Sequence, residues 1–112
     1  MKPYNLEELR LLADGDEDFF IEMLKTFTEE LPNDIIEMNN AIDNGNASLA
    51  YQVAHKMKPN LQMFGLDLGQ HIKVLEQWFK SSLQLEEVLP HAKTISSKVN
   101  LVCSELKQDY NL

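Results

Sequence analysis

Residues 85–106 read LEEVLPHAKTISSKVNLVCSEL, and the placement of their apolar side chains decides the fold. Leu85, Val88, Ala92, Ile95, Val99, Val102 and Leu106 follow one another at steps of three and four in strict alternation. An α-helix completes a turn in about 3.6 residues, so these steps return every apolar side chain to one stripe. Glu86, Glu87, Lys93 and Lys98 fall off the stripe. That is the pattern of a helix buried along one face and wet along the other.

The same spacing extends outward through the chain. Phe20, Leu24, Phe27, Leu31, Ile35, Met38 and Ile42 predict a long helix opened by Asp16 or a neighbouring acid and ended by Asn44-Gly45. Pro32 lies inside it, removes one backbone donor, and predicts a kink or a break there. Ala50, Ala54, Met57, Leu61 and Phe64 predict a further helix over about 46–64, capped by Asn46 and closed by Gly65. Leu68, Ile72, Leu75 and Phe79 mark a fourth, and Pro90 falls in the first turns of the last, where a missing donor costs least. In front of these, Asn5 and Glu8 form a candidate capping box for a short helix through Leu6, Leu9 and Leu12, stopping at Asp14-Gly15. No segment alternates in the manner of a strand. Short connections make sequential helices antiparallel neighbours, so the predicted fold is all-α: an antiparallel up-down four-helix bundle with a short extra N-terminal helix.

The 112 residues are one domain's worth of chain, 44% hydrophobic, with a radius of gyration expected at roughly 13 Å. With 18 acids against 10 bases and a formal net charge of -8, the composition argues against nucleic acid or an anionic membrane as partner. Cys103 is the single cysteine, so an intrachain disulfide is impossible and a reduced, cytoplasmic setting is expected. Met1-Lys2-Pro3-Tyr4-Asn5 lacks the apolar run of a signal peptide, and no stretch approaches the ~18 apolar residues of a spanning helix. Charge is unevenly divided. Residues 1–50 carry 12 acids and 3 bases, residues 51–112 carry 6 acids and 7 bases.

Within that second half one polar face looks organised rather than merely solvated. At 100° per residue the apolar stripe of the third helix centres about 140° away from His55, which therefore points outward. Tyr51, Gln52, Lys58, Pro59 and Gln62 lie within two turns of it, and Lys56 reaches over on a long stem. Neither Lys56 nor Lys58 has an acid four residues away in either direction. An exposed imidazole beside uncompensated ammonium groups suits a group that gains negative charge, such as a phosphorylated ring nitrogen. Pro59 lacks the N–H that would bond the His55 carbonyl, which loosens the backbone at that point.

A chain reversal around Gly65-Leu66 brings Glu76 or Gln77 to the level of His55. Periodicity places Glu76 beside its helix's apolar stripe and Gln77 nearly opposite it, which favours Glu76. A carboxylate accepting Nδ1–H would fix the tautomer and leave Nε2 as the nucleophile.

Residues 54–65, AHKMKPNLQMFG, resemble the signature of histidine-containing phosphotransfer domains, in which Ala-His-x-Leu-Lys-Gly-Ser is followed by Gly ten residues after the histidine. Ala54, His55, Met57 for Leu, Lys58 and Gly65 carry the match. The short first helix, the long second helix with its Leu31-Pro32 and the Asn44-Gly45-Asn46 turn extend it over about residues 5–80 of a single domain spanning 1–112. Pro59 and Asn60 stand where that family has Gly and Ser. The family's orienting Glu or Gln falls at Gln77, whereas its Leu-Glu pair appears one residue early as Leu75-Glu76.

The resemblance implies a phosphorelay protein, not an autonomous kinase. His55 would take a phosphoryl group from a receiver-domain aspartate and pass it to another, with Lys58 and Lys56 stabilising charge. The implied partners are response-regulator receivers and the receiver of a hybrid histidine kinase. No resident cofactor is implied, since Mg2+ belongs to the receiver. A different class of function is an adaptor of the same fold that binds a receiver or another partner without transfer.

The remaining features read more plainly. His71 and His91 are expected to be structural or solvated, since the three histidines lack metal-site spacing. Met23, Met38, Met57 and Met63 suit core filling, Trp78 and Phe79 packing against the last helix, and Cys103 an inert, partly buried thiol. The acids of 14–18 favour the start of the second helix through its macrodipole.

Overall fold

The computed structural model describes residues 2–81 and 83–112. Five helices follow in order: α1 (Glu7–Ala13), α2 (Glu17–Asp43), α3 (Ala47–Met63), α4 (Gly69–Lys80) and α5 (Leu85–Asp109). No strand occurs among the described residues. α2 packs on α3, α3 on α4, α4 on α5 and α5 back on α2, which closes a ring of four helices around a shared core; α1 lies against α2. The radius of gyration is 14.8 Å, above the compact expectation, because the molecule is elongated to 47 × 24 × 21 Å. A helix of the length of α2 alone spans about 40 Å at ~1.5 Å per residue.

The ends of the helices follow local chemistry. Asp16 caps α2 by accepting the Phe19 amide at 3.0 Å, and Asn46 caps α3 by accepting the Leu49 amide at 3.1 Å. At α5 the Glu87 side chain accepts the Gln84 amide at 2.9 Å, and the Glu87 amide donates back to the Gln84 carbonyl at 3.0 Å. At α1 the expected box is replaced: Leu6 is the N-cap, the Asn5 side chain accepts from Glu7 N–H at 2.9 Å, and the Asn5 amide donates to Phe64 O at 2.9 Å. Asn5 thereby ties the N-terminal segment to the α3–α4 turn. Gly65 makes that contact possible, with φ at 74° and an added Cβ falling 2.6 Å from the Asn5 Cβ.

The predicted stripes are buried, with instructive exceptions. All seven named positions of α2 lie in the core, as do Ala50, Ala54, Met57, Leu61 and Phe64. Phe27 and Phe64 stack at 3.8 Å between ring centroids, joining α2 to the end of α3. Such a pair contributes ~0.5–1.5 kcal/mol beyond area burial. Leu12, Leu85 and Phe79 depart from expectation at 54%, 36% and 44% exposure. Leu12 falls off the α1 face that buries Leu9 and Ala13, and Leu85 is the first residue of α5. Phe79 turns to α3 and stacks on Tyr51 at 6.0 Å instead of packing against α5.

Pro32 does not break α2, which runs unbroken from Glu17 to Asp43. The apolar stripe continues in register on both sides of the proline, and Asn33 Nδ2 donates to the Glu29 carbonyl at 3.3 Å. Burial of Leu31 and Ile35 offsets a local cost of ~3 kcal/mol. Pro90 falls in the second turn of α5, as the spacing implies, but beyond the free amides of the helix start, so the Glu86 carbonyl loses its helical donor. The N-terminal segment folds back on α5: Lys2 reaches Asp109 at 3.0 Å and Glu105 at 3.4 Å, and the Tyr4 hydroxyl donates to Asp109.

Candidate functional site

The Asn46 cap fixes where α3 begins and so which of its side chains meet α4. Tyr51, His55 and Lys58, spaced by four and then three, share one face. Gly69, Ile72, Lys73 and Glu76 share the facing side of α4. These seven residues line one hollow of about 350 Å³ between the two helices. His55 is exposed at its rim and Lys58 is half-buried. The Tyr51 ring lies 5.6 Å from the imidazole and continues into the stack with Phe79, so α3 and α4 are joined by aromatic contact beside the histidine.

The structure separates the two lysines that the sequence grouped. Lys58 lines the hollow with His55. Lys56 turns to the opposite flank, where Nζ meets Asp34 Oδ1 of α2 at 3.0 Å. Asp34, first by hydrogen bonding and then by charge, raises the Lys56 pKa. Inspection of positions four residues away on the same helix could not reveal this partner, because the acid comes from a neighbouring helix. Lys56 is thus compensated and borders a second hollow with Glu30, Asn33, Asp34 and Asn60.

Of the two residues expected at the level of His55, Glu76 enters the hollow and Gln77 is exposed outside it. The Glu76 carboxylate accepts from Lys80 Nζ at 3.1 Å. That hydrogen bond, with lesser help from Tyr51 and Lys73, holds its carboxyl below the ordinary range. Glu76 is therefore an ionised group in the hollow, engaged by Lys80, and among the described residues no hydrogen bond joins it to His55, so the expected acceptor contact to Nδ1–H is not formed.

Lys73 is the residue that sequence inspection passed over. It lines the hollow from α4, and among the described residues neither Lys58 nor Lys73 forms an ion pair. Its signal was present: Lys58 precedes Gly65 by seven residues and Lys73 follows it by eight, so the reversal that brings Glu76 to His55 also brings Lys73 to Lys58. Pro59 sits within an unbroken α3, leaving the His55 carbonyl without its helical donor.

The other histidines occupy a different place. His71 and His91 meet across α4 and α5 with their Nδ1 atoms 2.9 Å apart, both half-buried. One ring donates and the other accepts, which accounts for both as structural. Among the described residues no group of three or more His, Cys, Asp or Glu side chains is placed to hold a metal ion. A larger hollow of about 570 Å³ lies on α1 between Leu6, Glu7, Arg10 and Leu11, remote from His55 and without a nucleophile. Cys103 is buried, and burial pushes its thiol up to about 11. Among the described residues no helix is long and apolar enough to cross a membrane.

Compared with protein-family models, with curated proteins and with solved structures, the chain gives no match in any of the three. The His55 hollow holds an exposed imidazole, the Glu76 carboxylate and two ammonium groups that form no salt bridge among the described residues. Such a set can accept an electrophile on the ring and stabilise the negative charge it carries.

Proposed function

We propose that the protein is a phosphorelay intermediate of the histidine-containing phosphotransfer kind, with His55 as phosphoacceptor. One observation carries this reading: an exposed imidazole shares a hollow with two ammonium groups that form no salt bridge among the described residues, in a protein of net charge -8. In the transfer, the Nε2 lone pair forms a bond to phosphorus while the bond from phosphorus to the donor's aspartyl oxygen breaks. The freed carboxylate leaves with the electron pair, and the ring keeps its Nδ1–H beside the phosphoryl group. The reverse step hands the group to a second receiver aspartate. Positioning and electrostatics supply the rate in such transfers. Lys58 meets the charge on the phosphoryl oxygens, and Glu76, which lines the hollow, rather than the exposed Gln77 would orient the ring in the transfer complex.

The partners are response-regulator receiver domains, including that of a hybrid histidine kinase, which would bring Mg2+ and most of the catalytic groups. The protein itself has no kinase activity in this reading and works in the cytoplasm. Its helices form an antiparallel up-down bundle, a reading supported by the closed ring of helix contacts and the short connections between α2, α3, α4 and α5. Incubation with phosphorylated receivers from the same genome, followed by mapping of the label, tests the reading. Label on His55, lost in His55→Gln, supports it. Stable binding of a receiver with no label on the wild type supports the adaptor instead.

A further inference from the structure

We propose that Lys73 is the second cation of the phosphoryl site, holding the group on His55 from the α4 side against the charge of Glu76. The proposal rests on the phosphotransfer reading and adds a residue to it. A phosphoryl group on Nε2 brings about two negative charges into a hollow that already contains an ionised carboxylate. Lys58 stands one turn from His55 on the same helix, so it approaches the group from α3. Glu76 stands on the facing helix, where its charge opposes the incoming group. Lys73 lies one turn from Glu76 on that helix, lines the same hollow, and has no carboxylate partner among the described residues. Lys80 is already engaged by Glu76 at 3.1 Å. Lys73 is thus the α4 ammonium free to meet the phosphoryl oxygens, and its point charge on a flexible stem suits a group that arrives and departs.

The direction of each effect follows from charge. Without Lys73 only Lys80 offsets the charge of Glu76 and one cation fewer faces the phosphoryl oxygens, so the phosphorylated state forms less readily and is held less well. Without both Lys73 and Glu76 the opposing charge is gone, and part of the loss is recovered. A role for Lys73 confined to folding predicts no such recovery.

The experiment uses the whole protein with phosphoramidate, whose P–N bond breaks as the bond to Nε2 forms and ammonia leaves, and repeats it with a phosphorylated receiver. Occupancy and lifetime of the phosphohistidine are read by mass spectrometry and 31P NMR. Lys73→Gln is expected to lower occupancy about two- to five-fold, the scale of one exposed charge pair, with Lys73→Arg close to wild type. The loss should shrink in a Glu76→Gln background. Lys93→Gln on α5 makes the same change in net charge away from the hollow and should leave occupancy unchanged. Wild-type occupancy in Lys73→Gln, or an equal loss in Lys93→Gln, overturns the role of Lys73 while leaving His55 as acceptor. No label on wild type from either donor removes the phosphotransfer reading, and this proposal with it.

Discussion

Lys56 Nζ and Asp34 Oδ1 lie 3.0 Å apart, joining α3 to α2 on the flank away from the His55 hollow. Lys58, two residues further on, faces the hollow instead. Two lysines that look equivalent in sequence thus have different surroundings: one links helices, the other shares the hollow with His55.

The two should therefore separate in assay. Lys58→Ala is expected to slow phosphorylation of His55 about ten-fold, the scale of one charge-assisted hydrogen bond. Lys56→Ala should leave it within about two-fold, because its charge is already spent on Asp34 and the pair is exposed. Rates from a common phosphodonor, measured on both variants side by side, check this. Equal losses would contradict the division of roles.

Of the four glycines, Gly65 is the one where an added side chain meets close neighbours. Its φ of 74° disfavours any side chain, and an added Cβ would meet Asn5 Cβ at 2.6 Å and Asn5 N at 2.8 Å. Gly65→Ala should destabilise the protein by about 1–3 kcal/mol through backbone strain, with more where Asn5 is forced off Phe64. Urea denaturation measures it.

The N-terminal segment should detach in acid. Hydrogen bonds from Tyr4 and then Lys2 hold the Asp109 carboxyl below the ordinary aspartate value of 3.8. A lowered folded pKa means that the contribution is present above the unfolded value and is lost as pH falls through the folded one. Tyr4 shifts the other way, raised by burial first and then by Asp109. Its contribution is full below the ordinary tyrosine value of 10.0 and is lost as pH rises above it. Absorbance titration should show one tyrosine ionising late, and Asp109→Asn should reduce that delay and flatten the acid limb of stability.

Cys103 should be silent in the native state. With its thiol pushed up to about 11 by burial, it carries little thiolate at pH 8. Thiol-reactive dye should label it slowly in buffer and rapidly in denaturant.

Most of the architecture was legible in the sequence because burial follows a period that apolar residues cannot disguise. The stripes of α2, α3 and α5 came out almost residue by residue, and the caps at Asp16 and Asn46 are formed as their side chains dictate. What sequence could not settle depends on neighbours from other helices. Phe79 fits the α4 stripe yet stacks on Tyr51, and Lys56 lacks an acid on its own helix yet pairs with Asp34. Of the kink or break that Pro32 predicts, the break does not occur: the helix runs through the proline with Leu31 and Ile35 both buried. At the candidate site, His55, Lys58 and Glu76 were readable from spacing and a hairpin count. Lys73 needed that same count applied one turn further.

The most direct test of the account is the position of the phosphoryl group after exposure to a phosphorylated receiver. Label that is acid-labile and alkali-stable, maps to the peptide containing His55 and vanishes in His55→Gln is the predicted result. Equal labelling of wild type and His55→Gln, or label on His71 or His91, would contradict it.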